Sequence, residues 1–203
     1  MCQRSADAGS GRHGNHERRD ESGVRGIARD ECVKPAAVKR AGFPPVARQD
    51  AVVLILGSLP GEESLRRQQY YAHKSNQFWW IMGKLVGALP ELPYAARLDR
   101  LRDSRIALWD VCAAAERSGS LDSNIRDPEV NDFAGFFVEH PLLRRICFNG
   151  GKAATLFHRK VISPLSAAIQ CTQLPSTSPA HATLSPGEKL LRWREGGCFH
   201  LAG

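Results

Sequence analysis

Ala51-Val52-Val53-Leu54-Ile55-Leu56 narrows the possible folds of this chain more than any other stretch. It is an unbroken apolar run, β-branched in its middle, and it stops in a Gly57-Ser58-Leu59-Pro60-Gly61 turn. A short apolar run without polar alternation, bounded by Gly and Pro, reads as a strand buried on both faces. Such a strand belongs in the middle of a parallel sheet covered by helices. The Gly57 turn then lies at the strand's carboxyl end, the edge at which open α/β sheets bind ligands.

The rest of the chain repeats the same unit of strand, loop and helix. Residues 62–70 and 77–87 read as helices, with Phe78, Ile81, Met82 and Leu85 at helical spacing. A helix over 94–102 leads to a second strand, Arg105 to Trp109, ending at Asp110. A helix carrying Val130, Phe133 and Phe137 on one face leads to a third strand, Arg145 to Phe148, ending at Asn149-Gly150. A helix from 151 to about 162 leads to a fourth strand, Ala168 to Leu174, ending at Pro175-Ser176. A last helix covers about 187–195. This alternation implies an α/β fold, a three-layer α/β/α sandwich around a four-stranded parallel sheet. Gly57-Ser58, Asp110, Asn149-Gly150 and Pro175-Ser176-Thr177-Ser178 would then meet along one sheet edge. Each is ordinary turn chemistry taken singly, but four together point to a binding crevice.

Residues 1–45, rich in Arg, Gly, His, Ser and Glu, lack the periodic hydrophobes of a packed segment. They are expected to be a disordered basic leader, either an inert extension or an arm that touches DNA, with Pro44-Pro45 as the boundary to a single domain over 46–203. The formal net charge of +7 is modest and spread out, so it permits a nucleic-acid partner without requiring one. The six cysteines form no Cys-x-x-Cys, so neither a zinc ribbon nor an iron–sulfur cluster has a local ligand set; the reading reached below expects neither metal nor cofactor. Cys147 and Cys171, inside apolar runs, are expected to be small buried hydrophobes. No stretch approaches the length of a membrane span and no apolar signal core is present, so the chain is expected in a reducing intracellular compartment, in the cytoplasm or associated with the nucleoid when bound to DNA, with no membrane partner. Gly57 to Gly61 lacks the Gly-Lys-Ser/Thr of a phosphate-binding loop and the spacing of a dinucleotide fingerprint. Asn149-Gly150-Gly151-Lys152 opens a helix and is either a plain helix start or a one-phosphate site.

Six segments occur together. They are Gly57-Ser58-Leu59-Pro60-Gly61-Glu62-Glu63-Ser64-Leu65, Tyr70-Tyr71-Ala72-His73-Lys74-Ser75-Asn76-Gln77-Phe78-Trp79, Leu108-Trp109-Asp110-Val111, Arg117 to Ile125, Phe148-Asn149-Gly150 and Leu174-Pro175-Ser176-Thr177-Ser178-Pro179-Ala180. In this order they resemble the uracil-DNA glycosylase superfamily, and most closely its hypoxanthine-DNA (deoxyinosine) glycosylase branch, over about residues 50–195. The resemblance implies a monofunctional glycosylase that flips a deaminated base out of double- or single-stranded DNA and hydrolyses its bond to deoxyribose, acting as a monomer. A uracil- or mismatch-type specificity on the same fold, or a lesion-binding module with weak catalysis, are the alternatives.

The residues suit that chemistry. Cleavage passes through an oxocarbenium-like sugar, so the attacking water needs aiming more than a strong base. Asn76 matches the Asn of the branch's Asn-x-Phe-Trp segment and is the candidate catalytic residue; its other reading is a helix cap. Mismatch-type relatives also carry an Asn where this chain has Leu59, which orients nothing. Glu62 and Glu63 are the nearby carboxylates, read either as a water-activating pair or as first-turn acids favoured by the helix dipole. The resemblance places Phe78 against the flipped base, with Gly57 and Ser58 in the pocket. Asp110 and Asn149 are expected to read the base edge, Asp110 being equally a cap for the following turn. Pro175, Ser176, Thr177 and Ser178, with Lys152 and Arg117, are expected to contact DNA phosphates. His181 stands where the branch usually has Asn, and no lysine is placed for Schiff-base chemistry.

Overall fold

The computed structural model describes residues 39–161 and 169–196. Four strands, β2 (Val53–Gly57), β3 (Ile106–Asp110), β6 (Arg145–Asn149) and β7 (Gln170–Leu174), form an all-parallel sheet in the order β3-β2-β6-β7. The apolar run supplies β2, which is paired on both sides and buried along its whole length. Its register aligns the tips: Gly57 stands beside Asp110, and Asn149 beside Leu174.

Alternation along the strands divides two cores. Leu54, Leu56, Ala107, Trp109, Ile146 and Phe148 point to one face, against Phe133 and Phe136 of α4 (Phe133–Glu139) and Ala153, Leu156 and Phe157 of α5 (Gly151–Lys160). Val53, Ile55, Ile106, Leu108 and Cys147 point to the other. There they meet Phe78, Trp79, Ile81 and Met82 of α2 (Phe78–Val86), Leu101 of α3 (Tyr94–Asp103) and Trp193 of α6 (Pro186–Glu195). Side chains that alternate across a sheet and are apolar on both sides require a helical layer on each. The result is the expected α/β/α sandwich.

Local chemistry sets the element ends. Asp132 accepts the Gly135 N–H and caps α4, and a Ser185/Glu188 capping box with Pro186 in the first turn starts α6. The helix α1 (Glu62–Arg67) ends early at Gln68, whose φ of 53° is left-handed, so the expected helix over 62–70 is one turn shorter.

A second, antiparallel sheet was not expected. It pairs β1 (Lys39–Ala41), β4 (Cys112–Glu116) and β5 (Arg126–Val130) in the order β1-β4-β5. Val130 therefore ends a strand rather than lying on the helix with Phe133 and Phe137. An alanine-rich strand and a charged one containing Pro128 carry little of the usual β signal. Strand β1 falls inside the segment expected to be a disordered leader, and residues 1–38 of that segment lie outside the described residues. The bridge between Val46 and Leu108 covers the open edge of β3. Cys147 is fully buried, but Cys171 is exposed on the edge strand β7. No helix among the described residues is long and apolar enough to cross a membrane.

Candidate active site at the strand tips

The carboxyl ends of the parallel strands open into a cavity of about 660 Å³, within the size range of small-molecule sites. Gly57 and Ser58 from the end of β2, Asp110 from β3, Asn149 from β6 and Ser176-Thr177-Ser178 after β7 all border it, and so does Asn76. The convergence expected from four unrelated turns is present.

Asn76 sits in the loop before α2. Its Oδ1 accepts the Phe78 N–H at 3.0 Å, so it caps the helix while bordering the cavity. Cap and pocket roles coexist, because one acceptor lone pair and the amide N–H groups are left over. Glu63, in contrast, is held by Arg66 and Arg67, whose guanidiniums keep its carboxyl at about 2, too weak a base to take a proton from water. Glu62 is exposed and bonded to Arg40 at 2.7 Å.

Phe78 does not reach the cavity. It is fully buried, and the ring of Tyr71 lies over it, centroids 4.0 Å apart and planes 23° from parallel. Tyr71 borders the cavity where Phe78 was expected, with Phe78 as its backing. The signal available in the sequence was the Tyr70-Tyr71 pair at the head of the second of the six segments. Tyr71 has a left-handed φ of 54°, a strained setting for an aromatic residue, which aims its ring inward. Its hydroxyl and the Asp110 carboxylate meet over Gly57, where an added Cβ would lie 2.9 Å from the one and 2.2 Å from the other. Only glycine leaves them that space. Burial, then Asp110, pushes the Tyr71 hydroxyl well above the ordinary phenol range.

Asp110 is 3% exposed, and its Oδ2 has no hydrogen-bond partner among the described residues. Burial, reinforced by Asp122 and opposed by Arg117, pushes its pKa up to about 7. Because the folded value lies above the unfolded one near 4, the folded chain keeps a proton that the unfolded chain loses between about pH 4 and 7. Stability contributed by this residue therefore falls as pH rises through that window and is level above it. Asp110→Asn is expected to flatten the slope and to stabilise the fold at pH 8 on the order of 2–4 kcal/mol. Denaturant melts of both proteins at pH 5 and pH 8 check this, an unchanged pH 8 midpoint being the contrary result.

Asn149 is committed differently from expectation. Its Oδ1 accepts the Thr177 N–H at 2.8 Å, and its Nδ2 donates to Thr177 Oγ1 at 2.9 Å. The amide ties the loop after β7 to the tip of β6, leaving one N–H and one lone pair for anything in the cavity. Thr177 is fully buried and its carbonyl accepts from Gln77, while the Pro175 carbonyl accepts from Trp193. Neither Thr177 nor Pro175 is thus an open phosphate contact; Ser176 and Ser178 remain half exposed at the rim. Gly150, at φ 99°, passes so close to Ser176 that a Cβ would lie 2.9 Å from its side chain. Lys152 lies in the first turn of α5, half buried and not on the cavity.

Arg117 corrects the expectation most clearly. It is 1% exposed, and its guanidinium donates to the carbonyls of Leu59 and Pro60. A buried clamp on the turn after β2 cannot reach a phosphate. Around it, the Oγ of Ser58, a residue expected in the pocket, donates to Asp122 Oδ1 at 2.6 Å, and the Oγ of Ser120, for which no role was expected, accepts the Glu62 N–H at 3.0 Å.

Relatives have the same scaffold. The chain is 50% identical over 117 residues to a hypoxanthine DNA glycosylase of Methanosarcina acetivorans, which covers 57% of this chain and 73% of that protein. It is 43% identical over 117 residues to a protein of the same name from Methanosarcina barkeri, covering 57% and 74%. A solution NMR structure from Methanosarcina acetivorans, assigned to the uracil DNA glycosylases, superposes with a TM-score of 0.62 at 38% identity, over 79% of this chain and 99% of that one. The model of the uracil DNA glycosylase superfamily matches residues 44–195, from just before the Val46 bridge to the end of α6, and to that superfamily the chain belongs.

Proposed function

We propose that this chain is a monofunctional DNA glycosylase that everts a deaminated base, hypoxanthine foremost, and hydrolyses its bond to deoxyribose. The observation that carries the reading is the single cavity into which Asn76, Tyr71, Asp110 and Asn149 converge from separate elements. A base inside a duplex is out of reach of any side chain, so it must be extruded into such a recess. There the Tyr71 ring offers a stacking face and Asp110 lies at the polar end. An ionised Asp110 accepts the N–H that hypoxanthine, xanthine and uracil present beside a carbonyl. Adenine and cytosine present an unprotonated ring nitrogen there, which would leave buried polar groups unpaired. The remaining Asn149 N–H suits the neighbouring carbonyl. As the glycosidic bond breaks, negative charge builds on the departing base and positive charge on the sugar. Water then adds to the sugar carbon, aimed by the Asn76 amide, and loses its proton to the solvent or the departing base.

The names of the two Methanosarcina relatives support hypoxanthine, and the assignment of the NMR structure keeps uracil as the second reading. Incubation with duplexes carrying inosine, uracil or xanthine, then alkali, separates them. Alkali-dependent breakage fastest on inosine is expected; breakage only at uracil favours the second reading, and none at all favours a binding module. The reading includes action as a monomer, on either strandedness, in the cytoplasm. Phosphate contacts should dominate affinity, so binding is expected to weaken steeply as salt rises from 50 to 200 mM. Fluorescence anisotropy checks this, and a flat salt dependence would count against a DNA partner.

A further inference from the structure

Breaking the bond between base and deoxyribose leaves both electrons on the base and a positive charge spread over C1′ and the ring oxygen of the sugar. Asn76 aims the water that adds to C1′, but an amide carries no charge to offset the cation. Enzymes that hydrolyse glycosides set a carboxylate beside the sugar for that purpose. Among the described residues, four carboxylates border the cavity: Glu62, Glu63, Asp110 and Asp122. Glu62 is paired with Arg40, and Glu63 with Arg66 and Arg67, so neither has charge to spare. Asp110 is 3% exposed, at the deep end where the base edge is read.

Asp122 is placed differently. It has no ion-pair partner among the described residues, and its Oδ1 accepts the Ser58 hydroxyl at 2.6 Å. That bond fixes the carboxylate against the turn after β2, to which Arg117 fastens the start of the same loop. Asp122 and Asn76 are both half-buried, and so lie shallower than Asp110 and Asn149. A nucleotide that sets its base against the deep pair leaves its sugar at the level of the shallow pair. After burial, Asp122 is the largest cause of the raised Asp110 carboxyl, so its charge reaches across the cavity. Beside buried groups such a charge acts more strongly than in open water. We propose that Asp122 is a further catalytic residue, a fixed anion that faces C1′ and stabilises the cationic sugar. It takes no proton and forms no bond; the water's oxygen adds to C1′ and its proton leaves to the solvent or the departing base. The proposal rests on the glycosylase reading.

Two duplexes test it. One carries a pyrrolidine abasic analogue, whose protonated ring nitrogen mimics the cation, and the other its neutral tetrahydrofuran counterpart. Asp122→Asn in the full chain keeps an acceptor for Ser58 and removes only the charge. The wild type is expected to bind the pyrrolidine duplex more tightly than the neutral one, and Asp122→Asn to lose about tenfold or more of that preference. Both proteins should bind the tetrahydrofuran duplex alike. With excess enzyme, release of hypoxanthine by Asp122→Asn should slow by about 10²-fold or more. No preference in the wild type, the same preference in Asp122→Asn, an equal loss on both duplexes, or an unchanged release rate overturns the proposal. A wild-type protein that releases no base from an inosine duplex defeats the glycosylase reading itself; one that does, alongside an indifferent Asp122→Asn, defeats the role of Asp122 alone.

Discussion

Asn76→Ala is expected to slow base release by roughly 10²–10³-fold, the usual cost of removing one positioned polar group from a transition state. Affinity for the damaged duplex should change little, because Asn76 faces the sugar rather than the phosphates in this reading. The residue has a second job, since its Oδ1 caps α2 through the Phe78 N–H. Alanine therefore also removes a cap, at about 1 kcal/mol. Asn76→Ser separates the two effects: a serine hydroxyl still caps a helix, but it cannot carry an amide into the cavity. Stability close to the wild type with activity as low as alanine's is the expected pattern for serine. Glu62→Gln should be mild, because Glu62 is an exposed partner of Arg40. Single-turnover rates with excess enzyme check all three, and a crippled Glu62→Gln beside a mild Asn76→Ala would reassign the water.

Arg117→Ala is expected to cost about 3–5 kcal/mol of stability, the range for stripping one partner from a buried charged network. Three losses combine. The carbonyls of Leu59 and Pro60 lose their donors inside the protein. The buried stem leaves a void behind the turn after β2. Asp110 loses a cation that lowers the cost of its charge. Arg117→Lys should recover only part, since an ammonium cannot reproduce the planar fork that spans two carbonyls. Urea titration distinguishes this from a phosphate contact. A surface arginine of that kind would leave the midpoint unchanged and only weaken DNA binding.

These two residues also mark how far the sequence could be read. The parallel sheet was legible because β2, β3 and β6 are apolar on both faces and all four strands end in a turn, so the four tips and their convergence followed from pattern and connectivity. Asn76 was singled out by its match to the branch's Asn-x-Phe-Trp segment, and it lies on the cavity border. The role of Arg117 was not legible, because a charged residue after an alanine-rich stretch looks like surface; only its burial against the Gly57–Gly61 turn shows it as a clamp. The same limit hid the antiparallel sheet, whose β4 and β5 have neither β-branched runs nor clean alternation. Phe78 and Tyr71 exchanged places for a related reason. Both are aromatic and seven residues apart, and which ring faces the cavity depends on the left-handed turn at Tyr71, a backbone feature that residue type does not announce. Asn149 was expected to spend its amide on a ligand, and the competing claim of Thr177 lies 28 residues away in sequence.

A crystal structure of Asn76→Ala bound to an inosine duplex tests the central geometry most directly. The expected result is a hypoxanthine turned out of the helix, lying on the Tyr71 ring with its N–H edge at Asp110, and its sugar carbon within one water's reach of position 76. A base still stacked in the duplex, or one held against any surface other than the tips of β2, β3 and β6, would contradict it.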